Sequence, residues 1–308
     1  MNFIIEGGKK LSGTVETSRS KNGAVALLAA SLLNRGRTTL LHVPKIEEVN
    51  RLIEVLRSIG VSVEWDGTSV TITPPKKILL DTIDRAAAMK TRSILMFIGP
   101  LIHTFKKFEL PQSGGCTLGL RTVRPHLMAL EKFGVTITAS SDNYLIEHTK
   151  LAPTEVVLYE SGDTATINAL LAASRIPGLS VIKYASANYQ VQEVCGFLKM
   201  LGVGVEGIGS TTLTINGIGD INTDISYAVA EDPTDAMFFI AAAIVTGSAI
   251  TIAAAPIEFL EVELLILGKM GLTFSLANQR ISENGITKLA DISIEPSELV
   301  AVPEKLHP

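Results

Sequence analysis

Little in this chain could hold it together covalently or around a metal ion. It has two cysteines in 308 residues, Cys116 and Cys195, too few for a disulfide framework or a thiolate cluster. Its five histidines show no HxxxH spacing, and no CxxC occurs, so no metal site is read. Positive charge is not in excess. The 27 Lys and Arg against 31 Asp and Glu leave a formal net charge of −4, which argues against nucleic acid as a partner. The first ten residues lack the apolar stretch of a signal peptide. Ala236 to Ile257 is the longest weakly charged run and has a membrane-like length, but Thr246-Gly-Ser248 divides it and Pro256 closes it. It reads as a buried helix followed by a buried strand, with no membrane partner, and cytoplasm is the expected location.

What is present is apolar mass arranged in repeats. The chain is 46% hydrophobic and 19% charged, enough for real cores, and its length suggests about two domains. One pattern recurs four times: a small-residue apolar helix, a turn, an apolar strand, an amphipathic helix ending in glycine, then two short β segments. In the first copy the leading helix is Ala24 to Leu33 and the strand Thr38 to Val43. The helix Glu47 to Ile59 sets Val49, Leu52, Ile53, Leu56 and Ile59 on one face, and Gly60 stops it. Ser62 to Glu64 and Ser69 to Thr73 form a hairpin across Asp66-Gly67. The later helix-ending glycines are Gly134, Gly202 and Gly271, at steps of 74, 68 and 69 residues from Gly60 onward. The later leading helices are Ser93 to Ile102, Asn168 to Arg175 and Ala236 to Val245. Leu28-Ala-Ala-Ser31 recurs as Leu171-Ala-Ala-Ser174. Units of this size cannot bury their helix faces alone, so copies must pack around a shared core. Three copies close one domain and the fourth begins another, with the crossing point around Thr223 to Glu231.

The segment Leu110 to Arg121 carries the chemistry. Cys116 follows Gly114 and Gly115, and Arg121 lies five residues on. Glycines let backbone N–H groups approach a ligand. A cationic neighbour lowers a thiol pKa, and an arginine grips phosphate or carboxylate by paired hydrogen bonds. The pattern suits an anionic substrate, although a lone cysteine is more often a small buried hydrophobe. Cys195, on the apolar face of a helix from Gln192 to Leu201, reads as core.

Three motifs together with the repeat resemble the enolpyruvyl transferase family: Ser18-Arg-Ser-Lys-Asn-Gly-Ala-Val-Ala-Leu-Leu-Ala-Ala30, Lys90-Thr-Arg-Ser-Ile-Leu-Met-Phe-Ile-Gly-Pro100 and Gly114-Gly-Cys-Thr-Leu-Gly-Leu-Arg121. The resemblance spans the whole chain, with the motifs in the family's order. It implies an inside-out α/β barrel of repeated units, helices central and sheets outward. On that reading residues 1–20 pair with a second domain, 21–228 form a complete first domain of three repeats, and 229–308 form a partial second domain. The implied reaction moves the enolpyruvyl group of phosphoenolpyruvate to the 3'-hydroxyl of UDP-N-acetylglucosamine and releases phosphate. That is the first committed step of peptidoglycan synthesis, and it needs neither cofactor nor metal.

By the same resemblance Cys116 is the proton donor to the methylene carbon. Lys21 and Asn22 contact phosphoenolpyruvate, and Arg92 and Arg121 bind substrate. Arg121, Thr122, Val123, Arg124 and Pro125 meet the nucleotide, and Glu160, Ser161, Gly162 and Asp163 form a further UDP-sugar loop before a helix beginning near Ala165. Plainer readings stand beside these: Lys21 as a solvated lysine next to a helix-capping Asn22, and Arg92 as a surface arginine. A lysine at a helix start is electrostatically misplaced unless an anion joins it, and Arg92 enters an apolar helix. The chain departs from the family at Arg124, where an acidic residue is usual, and at Pro233, beside the interdomain position Asp232. Only four of the family's six repeats are counted, and the family's catalytic aspartate has no counterpart. A C-terminal polypeptide completing the fold is therefore a further expected partner, and the chain alone is expected to turn over little. The alternatives are a UDP-sugar-binding protein without turnover and, against the Gly-Gly-Cys loop, the 3-phosphoshikimate branch of the family.

Overall fold

The computed structural model describes residues 4, 6–112 and 123–303. The chain folds as two compact units, Lys21–Val229 and, separately, Met1–Ser20 with Ala230–Pro308.

In chain order, β1 (Ser12–Glu16) precedes the first repeat: α1 (Lys21–Ala30) with a 3-10 turn over Ser31–Leu33, β2 (Thr38–Leu41), α2 (Glu47–Ser58), β3 (Ser62–Asp66) and β4 (Ser69–Thr73). The second has α3 (Arg85–Met89), a 3-10 helix over Arg92–Phe97 running into α4 (Ile98–Leu101), β5 (Lys107–Pro111), α5 (Arg124–Glu131), β6 (Val135–Ala139) and β7 (Asn143–His148). The third has β8 (Glu155–Val157), α6 (Asp163–Ser174), β9 (Gly178–Lys183), α7 (Tyr189–Met200), β10 (Gly204–Glu206) and β11 (Thr212–Gly217). After β12 (Ile225–Ala228), the fourth has α8 (Pro233–Thr246), β13 (Ala249–Pro256), α9 (Glu261–Lys269), β14 (Phe274–Ile281) and β15 (Lys288–Ile294).

The larger unit is built around its leading helices. Gly23 through Ala30 of α1, Ile94 through Leu101, and Ala165 through Ser174 of α6 are all buried. Such helices need small residues to approach one another, which explains the recurring alanines. Three separate sheets lie outside them, ordered β12-β2-β4-β3, β5-β7-β6 and β10-β11-β9-β8, rather than one continuous wall. Their strands alternate, as in β4 where Val70 and Ile72 are buried between more exposed neighbours, so one face packs on helices. The amphipathic face read for α2 is buried at Val49, Leu52, Ile53 and Leu56, with Ile59 just beyond it. Gly60, Gly134, Gly202 and Gly271 all adopt left-handed φ, from 89° to 108°. Each ends its helix in a conformation that a side chain resists.

Two leading helices differ from expectation. The segment from Ser93 to Ile102 is not one α-helix but 3-10 through Phe97 and α only from Ile98. The cause is Asn168 of α6. Its Oδ1 accepts the Gly99 N–H at 2.7 Å and its Nδ2 donates to the Leu95 carbonyl at 2.8 Å. Those two backbone groups are the i, i+4 partners of an α-helix, so the amide replaces the bond and the helix tightens. Pro100, with no N–H, removes the next one. The helix α6 begins at Asp163 rather than near Ala165 or Asn168, because its polar first turn is a helix start rather than a loop.

The smaller unit pairs β1 in parallel with β13, followed by antiparallel β15 and β14. Asp232 caps α8, accepting the Thr234 N–H at 2.8 Å, Pro233 takes the first turn, and Gly247 closes it at φ 58°. Ala236, Ile240 and Ala243 of α8 pack with Ile252, Leu264 and Ile292. Phe238 and Val245, on the other side of α8, are 65% and 81% exposed. Among the described residues no helix is long and apolar enough to cross a membrane.

Candidate functional site

The residues singled out above gather at helix starts of the larger unit. Lys21 is the first residue of α1, Arg92 opens the 3-10 helix, Arg124 and Pro125 open α5 after Val123, and Asp163 opens α6 after Glu160, Ser161 and Gly162. Cys116, Arg121 and Thr122 lie outside the described residues.

Side-chain contacts join these starts into a closed ring. Lys21 Nζ donates to Glu48 Oε2 at 2.6 Å, which ties α1 to the first turn of α2. The other oxygen of Glu48 accepts from Thr91 Oγ1 at 2.9 Å and Ser93 Oγ at 2.5 Å, so the carboxylate brackets Arg92. Burial pushes the Glu48 carboxyl up. The bonds from Lys21, Ser93 and Thr91, with the lysine charge, outweigh this and hold it below its ordinary value.

The next link is His126 on α5, which is buried and electrostatically coupled to Arg92. Burial first, and the Arg92 charge second, lower its pKa to about 4. Asn168, its amide oriented by Gly99 and Leu95, directs Nδ2 at His126 Nδ1 at 3.3 Å, and His126 Nε2 lies 3.2 Å from Thr164 Oγ1. The ring is therefore neutral, with Nδ1 accepting and the proton on Nε2 facing Thr164. This brings the start of α5 against that of α6.

Asp163 makes the following link. Its carboxylate accepts from Ser186 Oγ at 2.5 Å, from Asn188 Nδ2 at 3.0 Å and from Gln190 Nε2, so it fastens the loop that leads into α7. Ser161 Oγ donates to the Ala185 carbonyl at 3.2 Å. The charge of Asp163, awkward for a phosphate seat, is thus used inside the protein and also suits the helix start, whereas Glu160 is exposed. Asn22 Nδ2 to Tyr189 Oη at 3.4 Å closes the ring back to α1. Beneath it, buried Glu193 of α7 lies so close to Gly23 that a Cβ there would overlap Oε2.

Several of these residues were not foreseen. Glu48 reads as an ordinary acidic first-turn residue, and Thr91, Ser93, His126, Thr164, Asn168 and Tyr189 carry no signal of their own. Cys195 is fully buried, and desolvation raises its pKa to about 12, which makes it inert core.

The geometry defines a class first: α/β units with leading helices at the centre, sheets outside, and polar and cationic residues collected at helix starts. The profile of the EPSP synthase (3-phosphoshikimate 1-carboxyvinyltransferase) family matches residues 5–305, and the chain belongs to that family. It is 34% identical, over 84% of its length, to the UDP-N-acetylglucosamine 1-carboxyvinyltransferase of Bradyrhizobium diazoefficiens, 59% of which is covered. To the enzyme of the same name from Chlorobaculum parvum it is 30% identical, covering 98% of this chain and 70% of the relative. The enolpyruvyl transferase NikO of Streptomyces tendae shares the fold with a TM-score of 0.77 at 19% identity, over 95% of this chain and 67% of that one. EPSP synthase of Acinetobacter baumannii does so with a TM-score of 0.72 at 21% identity, over 97% and 68%. The chain spans about three-fifths of the length of the first curated relatives it matches, 59% and 64%.

Proposed function

We propose that the larger unit supplies the phosphoenolpyruvate and UDP-N-acetylglucosamine half of an enolpyruvyl-transfer site. The observation that carries this reading is that Lys21, Arg92 and Arg124 each stand at a helix start of the larger unit, with the Lys21 and Arg92 starts tied together through Glu48. Cations there oppose the helix dipoles, and a multiply charged anion relieves the conflict. Phosphoenolpyruvate is such an anion. Lys21 and Asn22 would hold its phosphate and carboxylate, with Glu48 releasing Lys21 to the ligand. Val123 to Pro125 and Glu160 to Asp163 would position the UDP-sugar.

In the first step the sugar 3'-hydroxyl oxygen bonds to C2 of phosphoenolpyruvate and gives up its proton to water, while the Cys116 thiol protonates C3 and becomes a thiolate. In the second, the thiolate takes a proton back from C3, the bond from C2 to the phosphate ester oxygen breaks, and inorganic phosphate departs with the bonding pair. Positioning and charge stabilisation account for much of the barrier reduction in such reactions. Peptidoglycan synthesis in the cytoplasm would be the setting.

Intact mass measurement after fosfomycin treatment, with and without UDP-N-acetylglucosamine, tests the reading. A single adduct on Cys116, promoted by the UDP-sugar, supports it. A folded chain that takes no adduct, or takes one indifferent to the UDP-sugar, overturns the assignment of substrate. Adduct formation without phosphate release would mark a UDP-sugar binder that does not turn over.

A further inference from the structure

The same leading helices that begin at the ring end around a second concavity. Asn34 and Arg35 follow α1 and its 3-10 turn, His103 follows α4, and Arg175 caps α6. With Lys76 and Lys77 they line a cavity of about 670 Å³, within the size range of small-molecule sites. The helices α1 and α6 are 10 and 12 residues long, so at 1.5 Å per residue this cavity lies about 15 Å from the ring.

Its charge is unusual for a chain with a net charge of −4. Four cationic side chains line it, and no carboxylate among the described residues does. One acid stands close, Asp220, shared between Arg35 Nε and Arg175 Nη2 at 3.1 Å each. Part of the polar capacity is already engaged, since Arg175 Nε also donates to the Gly219 carbonyl at 3.1 Å, and His103 Nε2 lies 3.3 Å from the Leu171 carbonyl. Three helix ends count for at most about half a negative charge each. With Asp220 included, about one and a half positive charges remain uncompensated. The Arg175 guanidinium is only 11% exposed, and Lys76 and Lys77 stand at the mouth, exposed.

We infer that this cavity binds a small phosphate-bearing anion, at a site separate from the ring of helix starts. Arg175 forms the charged floor, the exposed Arg35, Lys76 and Lys77 close over the ligand from the rim, and Asn34 and His103 provide neutral hydrogen-bonding groups. The crowding is visible on the groups themselves. Burial and the Arg35 charge lower the Arg175 pKa, with Asp220 opposing. Burial, then Arg175, lower that of His103 to about 4, with His148 adding to the effect and the Leu171 and Ala172 backbone opposing it. A dianion would offset the part of both shifts that comes from neighbouring positive charge.

The ring signals of His103, identified by their loss in His103→Asn, provide a local probe in the 308-residue chain. At pH 7 and constant ionic strength, pyrophosphate should displace them saturably with a midpoint below about 10 mM. Lys76→Glu with Lys77→Glu, two exposed changes that leave the core intact, should weaken this by about tenfold or more. No saturable displacement overturns the inference. So does a titration unchanged in the double variant, or an equal displacement by sodium chloride at matched ionic strength.

Discussion

Two residues of the ring lose their contribution to stability in the same direction, as pH falls, but over different windows. Glu48 is held ionised by its three partners, so its folded pKa lies below the unfolded one. Its contribution is present above the ordinary carboxylate value and is lost as acid protonates the folded form. Glu48→Ala should lower the unfolding free energy by about 1–3 kcal/mol at pH 7. In denaturant melts the deficit should shrink below about pH 4. His126 is kept neutral, with a pKa lowered to about 4. The unfolded chain takes up a proton near pH 6.5, while the folded one resists until about pH 4. Stability should therefore fall across that window, by about 1.4 kcal/mol per pH unit for this group. A ring titration should show the low midpoint directly, and Arg92→Gln should move it upward. The site was only partly legible in the sequence. Lys21, Asn22 and Arg92 stood out by resemblance, whereas Glu48 meets Lys21 and Thr91 across 27 and 43 residues. No local pattern encodes such meetings.

At the level of elements, periodicity and glycine placement revealed most of the architecture. The α2 face and the four left-handed glycines follow from spacing alone. The second leading helix did not, because its 3-10 form is imposed by one side chain from another repeat. Asn168→Leu should test this. It leaves the Gly99 N–H and the Leu95 carbonyl buried without their partner, and removes the donor to His126. A loss of about 2–4 kcal/mol is expected in chemical unfolding. Asn168→Asp should be nearly as damaging, since a carboxylate can accept from Gly99 but cannot donate to Leu95. The start of α6 was misplaced for a related reason: Asp163 and Thr164 look like loop residues until their partners Ser186, Asn188 and His126 are present.

On the scale of the whole molecule the two units differ in how fully they cover their helices. In α1 every residue from Gly23 onward is buried, but in α8 only Pro233, Ala236, Ile240 and Ala243 are. Phe238, Val245, Val262 and Leu265 of α8 and α9 are each more than 60% exposed. Apolar groups of this kind favour association. Sedimentation velocity should show concentration-dependent self-association of the purified chain, and Val245→Glu with Leu265→Glu should reduce it without changing the melting of the larger unit. The pairing of β1 with β13 has a different consequence. Ser12 meets Ala249 across 237 residues, although it leaves the ribosome first. At about 5–20 residues per second, its partner is made roughly 12 to 50 s later. During that interval the opening segment is a strand without a sheet, long enough for a chaperone or a protease to reach it before the fold does.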